Sequence, residues 1–158
     1  MKLVVIDGQS GRTGALLVER VRAAGLPLEL LAVGTNAIAT AAMMKAGAQR
    51  GATGENPVIV ACRDADVIIG PVGILSADSM MGEITPAMAV AVGQSRAVKL
   101  LLPVNRCNNR VIGVRKLSLS EIAAETVEEL KRIVNECDTG GHPGILPGES
   151  RPGDTGPL

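Results

Sequence analysis

Leu3-Val-Val-Ile6-Asp7-Gly8-Gln9-Ser10-Gly11-Arg12-Thr13-Gly14-Ala-Leu-Leu17-Val18-Glu-Arg-Val21 is the stretch that decides how this chain is read. The apolar run from Leu3 to Ile6 has the look of a buried strand, and it stops at Asp7-Gly8. Glycines recur at 8, 11 and 14, and helical spacing follows at Leu17, Val18, Val21 and Ala24. A strand, a tight glycine turn and a helix start present backbone N–H groups to an anion such as a phosphate. A plainer reading stands beside it: Gly8 and Gly11 make a tight turn, and Gly14 lets the helix pack on the sheet.

Outward from that stretch, strands alternate with helices. Strands are expected over 2–6, 29–33, 49–52, 67–70, 98–104 and 110–114. Helices are expected over 12–24, after Asn36 as N-cap, after Asn56 with Pro57 at the first helical position, and after Thr85 with Pro86 in the same place. A last helix starts at Ser118, where Glu121 completes a capping box. The strands are continuously apolar, as in a sheet covered on both faces. This predicts an α/β fold, a Rossmann-like doubly wound sheet of five or six mostly parallel strands. The link from 104 to 110 is too short for a parallel crossover, so the last strand is expected antiparallel at an edge. Residues 1–137 form the domain. From 138 the chain is rich in Gly and Pro without periodicity and reads as a disordered tail.

Doubly wound topology puts a ligand crevice at the carboxyl ends of the strands, between the first turn and the loop after Gly70. Gly8, Gln9, Ser10, Gly11, Arg12, Thr13, Gly14, Thr35, Asn36, Gly70 and Pro71 are therefore the candidate cofactor-binding residues. Ser10 and Thr13 offer hydroxyls to phosphate oxygens, and Arg12 a planar fork. Asp7 cuts the other way, because a carboxylate beside a phosphate repels it. It is left with three roles: magnesium ligand, ribose contact, or acceptor for the turn's own amides. No Asp or Glu ends the second strand, where NAD sites usually place a ribose ligand. Thr35 and Asn36 stand there instead, and their neutrality suits NADP better, although no Arg or Lys follows. Asn36 also reads simply as a helix cap.

Asp78, Glu83, Asn105 and Arg106 are the catalytic candidates. Asp78 and Glu83 would be general bases if partly buried; the plainer reading is ordinary loop polarity plus favourable charge before a helix N-terminus. Asn105, Arg106 and Asn108 crowd a strand end. Met80 and Met81 are read as core, as interface, or as an adaptable apolar wall. The helix over 37–46 is small or apolar nearly all round, which predicts burial on more than one face and a homo-oligomer.

Bulk composition narrows the field. The 158 residues are 46% hydrophobic and 20% charged with zero formal net charge, so the chain is globular and lacks the basic excess of a nucleic-acid or membrane-surface binder. There is no Phe, Tyr or Trp for base stacking. Three scattered cysteines and no evident leader or transmembrane run suggest a reduced, cytoplasmic setting. The one histidine, His142, falls in the tail, so neither a histidine-based triad nor a multi-histidine metal site is expected, and no metal site is predicted.

Two resemblances follow from these residues. Gly8-Gln-Ser-Gly11-Arg12-Thr13-Gly14 resembles the Gly-x-x-Gly-Arg-Met-Gly turn of dihydrodipicolinate reductases, with Thr13 in place of Met. That likeness implies a nicotinamide dinucleotide, NAD or NADP, at this turn. Nothing downstream matches that family's His- and Lys-based catalytic motif, so no catalytic role carries over. The wider likeness, over 1–135, is to a family of short bacterial proteins known as a domain of unknown function. It rests on Val5-Ile-Asp-Gly-Gln9, Gly34-Thr-Asn-Ala37, Arg50-Gly-Ala-Thr-Gly-Glu-Asn56, Asp66-Val-Ile-Ile-Gly-Pro71, Ser79-Met-Met-Gly-Glu-Ile-Thr-Pro86 and Asn105-Arg-Cys107. The expectation is a nucleotide-binding protein. It is either a small oxidoreductase or a non-catalytic oligomeric sensor or scaffold.

Overall fold

The computed structural model describes residues 1–104 and 109–138. Five strands, β1 (Lys2–Asp7), β2 (Glu29–Gly34), β3 (Arg50–Thr53), β4 (Val67–Pro71) and β5 (Val98–Leu102), form one sheet in the order β3-β2-β1-β4-β5. Every neighbouring pair is parallel. β1 is central, with Val5 paired to Ala32 on one side and Ile69 on the other. The strand order reverses between β1 and β4, which opens a crevice at their carboxyl ends.

Side chains alternate along a strand, so β1 feeds two cores. Leu3 and Val5 pack with α1 (Arg12–Ala23), α2 (Ala37–Lys45) and α6 (Leu119–Asp138). Val4 and Ile6 pack with α3 (Glu55–Ala61) and α5 (Pro86–Gln94). Leu3, Ile6, Ile68 and Ile69 are wholly buried, each stabilising the fold by about 1.5–3 kcal/mol.

Without aromatic side chains as spacers, the α1 and α2 backbones come close. Gly11 sits at φ +69°, and a Cβ there would lie 2.6 Å from the Ala39 Cα. A Cβ at Gly14 would lie 2.5 Å from the Met43 Sδ and 2.8 Å from the Asp7 Cβ. Both glycines are thus required by packing, apart from any ligand.

Helix starts follow the expected devices at three places. The Asn36 Oδ1 accepts the Ala39 N–H at 2.9 Å, the Thr85 hydroxyl accepts the Met88 N–H at 3.2 Å, and Ser118 and Glu121 form the capping box. α3 begins earlier than predicted: Gly54, at φ +105°, is its N-cap, and Pro57 is its third residue. The antiparallel edge strand predicted over 110–114 is absent. Val111, Ile112 and Val114 are 44%, 92% and 46% exposed, so no covered face rewards extension there, and Gly113 at φ +85° breaks the run. β5 therefore ends the sheet. The predicted tail lies outside the described residues from 139 onward, and so does His142.

Candidate functional site

Asp7, the last residue of β1, enters the turn with its side chain only 4% exposed. Its Oδ1 accepts the Gly8 N–H at 2.8 Å, and its Oδ2 accepts the Gly14 N–H at 2.6 Å. The N-cap of α1 is Gly11, which has no side chain to cap the helix, so a carboxylate from the preceding strand takes over. Burial pushes the Asp7 carboxyl above its ordinary value. The bonds from Gly14 and Gly8 pull it back without cancelling burial, and the Glu83 charge adds to the rise. Part of the expected anion cradle is therefore filled by the protein's own carboxylate.

A second carboxylate arrives from the other side of the crevice. After β4 the chain forms a tight turn (Val72–Leu75) and a single distorted helical turn, α4 (Ser79–Gly82). Asp78, Met80 and Met81 have φ of +62°, +54° and +61°, a conformation that costs non-glycine residues about 1–3 kcal/mol each. Local bonds hold this strap: the Ser79 hydroxyl donates to the Gly73 carbonyl at 2.6 Å, and the Asp78 N–H to the Ile84 carbonyl at 2.7 Å. The strap lies over Gly8. A Cβ on Gly8 would stand 2.7 Å from the Thr35 Oγ1, 2.8 Å from the Glu83 Oε2 and 2.9 Å from the Met80 Sδ.

The Glu83 Oε2 gathers three donors: the Gln9 N–H at 2.8 Å, the Asn36 Nδ2 at 2.9 Å and the Thr35 hydroxyl. Burial pushes this carboxyl up, but the bonds from Thr35, Gln9 and Asn36 together outweigh it. Glu83 is held below the usual range and is ionised at neutral pH.

Between the turn and the ends of β4 and β5 lies a cavity of about 340 Å³, within the lower range of small-ligand pockets. Asp7, Ser10, Arg12 and Thr13 form its polar side, and Pro71, Met80, Val104 and Leu119 its apolar side. The Ser10 and Arg12 backbone N–H groups have no acceptor among the described residues. Both residues line this cavity.

The family described as a domain of unknown function (DUF3842) matches residues 2–135. The chain belongs to it. No curated protein matches the chain. Among solved structures, this DUF3842 domain is similar to a dodecameric FMN-dependent Ubix-like decarboxylase from Escherichia coli O157:H7. The identity is 19% over 96% of this chain and 86% of that one, with a TM-score of 0.42. It is also similar to a nucleoside-diphosphate-sugar epimerase from Pseudomonas aeruginosa, at 17% identity over 90% of this chain and 50% of that one, with a TM-score of 0.38. Likeness at that level assigns no ligand.

Within the DUF3842 domain the predicted residues divide. Gly8, Gln9, Ser10, Arg12, Thr13 and Pro71 line the cavity. Gly11 and Gly14 serve the α1–α2 contact, and Gly70 serves strand pairing, since a Cβ there would lie 2.5 Å from the Ile6 carbonyl oxygen. Thr35 and Asn36 hold Glu83. Asp78 is exposed on the strap and does not line the cavity. Asn105 and Arg106 lie outside the described residues. Val104 and Leu119 were not expected at the site; each belongs to a segment read for sheet or helix packing, and no local pattern marks them. Among the described residues no group of three or more His, Cys, Asp or Glu could hold a metal ion. None of the described helices is long and apolar enough to cross a membrane.

Proposed function

We propose that this domain binds a nucleotide in the crevice between β1 and β4, with a nicotinamide dinucleotide, NAD or NADP, as the cofactor class. The observation that carries this is the cavity itself, about 340 Å³, lined by Ser10 and Arg12, whose backbone N–H groups have no acceptor among the described residues, and by the apolar Pro71, Met80, Val104 and Leu119. Donors of that kind suit a phosphate, and the wall of Pro71, Met80, Val104 and Leu119 suits a flat ring. The turn's likeness to that of dihydrodipicolinate reductases supports the nicotinamide class.

The fit is uneven along a dinucleotide. The cavity takes about one nucleoside phosphate, while the path over Gly8 is filled by Met80 and Glu83. A whole dinucleotide has to run past the strap along Ser10 and Arg12, or move the strap aside.

A panel of NADH, NADPH, FMN and ATP in thermal unfolding tests the reading. A ligand at 100 times its Kd adds about 2.7 kcal/mol of stability. Arg12→Ala should remove most of that gain, and a panel without any shift would sink the proposal.

A small oxidoreductase is favoured by one feature: Asp7, a carboxyl raised by burial, lines the cavity, where a titratable group could exchange a proton with a ligand. A bound nicotinamide would supply the hydride. Hydride exchange between bound cofactor and candidate substrates separates this from a non-catalytic sensor. Self-association is proposed through α2, where Ile38 is 71% and Met44 39% exposed; light scattering after Ile38→Glu tests it.

A further inference from the structure

Dinucleotide folds usually place a carboxylate at the end of the second strand to bind the ribose hydroxyls. This chain has none in that stretch of sequence, but the structure delivers one there from elsewhere. Thr35, the first residue after β2, and its neighbour Asn36 both donate to the Glu83 carboxylate, 48 and 47 residues away in the chain. The Gln9 amide of the first turn completes the grip.

All three bonds fall on Oε2. Oε1 has no hydrogen-bond partner among the described residues, and the side chain is only partly buried. A carboxylate with one oxygen fixed and the other open is a preorganised acceptor for a hydroxyl group. Ordinary strap anchoring accounts for Oε2 but gives Oε1 nothing to do.

We propose that Glu83, beside the cavity but not on its lining, is the ribose ligand of a dinucleotide that reaches out from it, its open oxygen accepting a 2′- or 3′-hydroxyl at the end of β2. The proposal rests on the nucleotide reading above and adds a specificity. A 2′-phosphate would bring a like charge against this carboxylate, so the site should take NAD-type ligands and reject NADP-type ones. That reverses the preference suggested by the neutral side chains of Thr35 and Asn36.

The test compares Kd values for NADH and NADPH, by calorimetry, in the wild-type protein and in Glu83→Gln. Wild type should favour NADH tenfold or more, and Glu83→Gln should weaken NADH by about tenfold and narrow the gap. The wild-type comparison alone decides the matter should the variant fold poorly. NADPH binding as tight as NADH overturns the proposal and leaves the nucleotide reading standing. Tighter binding of either ligand by Glu83→Gln also overturns it, since Glu83 would then be a plug in the ligand's own place. Binding of neither ligand by wild type fells the nucleotide reading and this proposal together.

Discussion

Glu83 accepts the backbone N–H of Gln9 at 2.8 Å, although 74 residues of chain separate them. This bond ties the strap after β4 to the first turn. With the Thr35 and Asn36 bonds, it holds the Glu83 carboxyl below its ordinary value near 4.5 despite partial burial. A carboxyl depressed by folding adds stability above its unfolded pKa and loses it as pH falls through the folded one. Glu83→Gln should therefore cost about 1–3 kcal/mol at neutral pH. The gap to wild type should close below about pH 4.5. Urea unfolding of both proteins across the acid range measures it; a gap that widens on acidification contradicts this account of the strap.

Asp7 carries the opposite sign. Burial raises its carboxyl above the ordinary value near 3.8, in spite of the Gly14 and Gly8 bonds. Between the unfolded and folded values the native state binds more protons, so wild type loses stability as pH rises through that window. Asp7→Asn cannot accept both amides and leaves one buried N–H unpaired, at a cost of about 1–3 kcal/mol. Relative to Asp7→Asn, wild type should be at its best in acid and lose ground as pH rises. The same denaturant series, run on this variant, reads the slope directly.

Gly11 and Gly25 offer a matched pair. Their φ values are +69° and +64°, yet a Cβ at Gly11 meets the Ala39 backbone at 2.6 Å while a Cβ at Gly25 meets nothing within 4 Å. Gly25→Ala should cost only the backbone strain, about 1 kcal/mol. Gly11→Ala adds a clash between two helices that cannot easily yield, for a total of about 2–4 kcal/mol. Thermal unfolding of the two variants compares them. Equal losses would mean that α1 and α2 do not approach as closely as described. The same contact makes any bulky residue at Gly11 a probe of folding and not of ligand binding.

Cys62 should be chemically silent in the native protein. It is 4% exposed, and burial pushes its thiol up to about 11 against a weak opposing pull from Lys99. Thiolate is the reactive form, so iodoacetamide in mildly alkaline buffer should leave the Cys62 peptide unmodified until denaturant is added. Mass spectrometry of the digested protein distinguishes the two states. Rapid native labelling would place Cys62 at the surface.

The sheet and its helices were legible because periodicity and capping are local. Leu3 to Ile6, the Asn36 and Thr85 caps and the Ser118–Glu121 box each announce themselves within a few residues. The failures share a cause as well. Val111, Ile112 and Val114 look like a strand, but a strand needs a neighbour and a face to cover, which no short window contains. The glycine turn was readable as a turn, yet what its amides bind depends on Asp7 folding back and on Glu83 arriving across 74 residues. The left-handed run through Met80 and Met81 is invisible in sequence, because neither residue type favours that conformation and the bonds that hold the strap, Ser79 to Gly73 and Asp78 to Ile84, follow no periodic pattern. Long-range polar contacts of this kind carry no periodic signature.

The raised carboxyl of Asp7 also predicts how the proposed ligand should bind. A phosphate seated on the Ser10 and Arg12 amides shares the cavity with Asp7. Two like charges about 4–6 Å apart repel by about 3–4 kcal/mol at an effective dielectric of 20. Arg12 offsets part of that, and protonation of Asp7 removes the rest, in the direction that burial already favours. Binding of a phosphorylated ligand should therefore take up protons, and affinity should fall as pH rises through the window in which Asp7 titrates. Calorimetry in two buffers of different ionisation enthalpy gives the number of protons taken up directly. Asp7→Asn should abolish the uptake and flatten the pH dependence, whereas uptake that persists in the variant would assign the proton to another group.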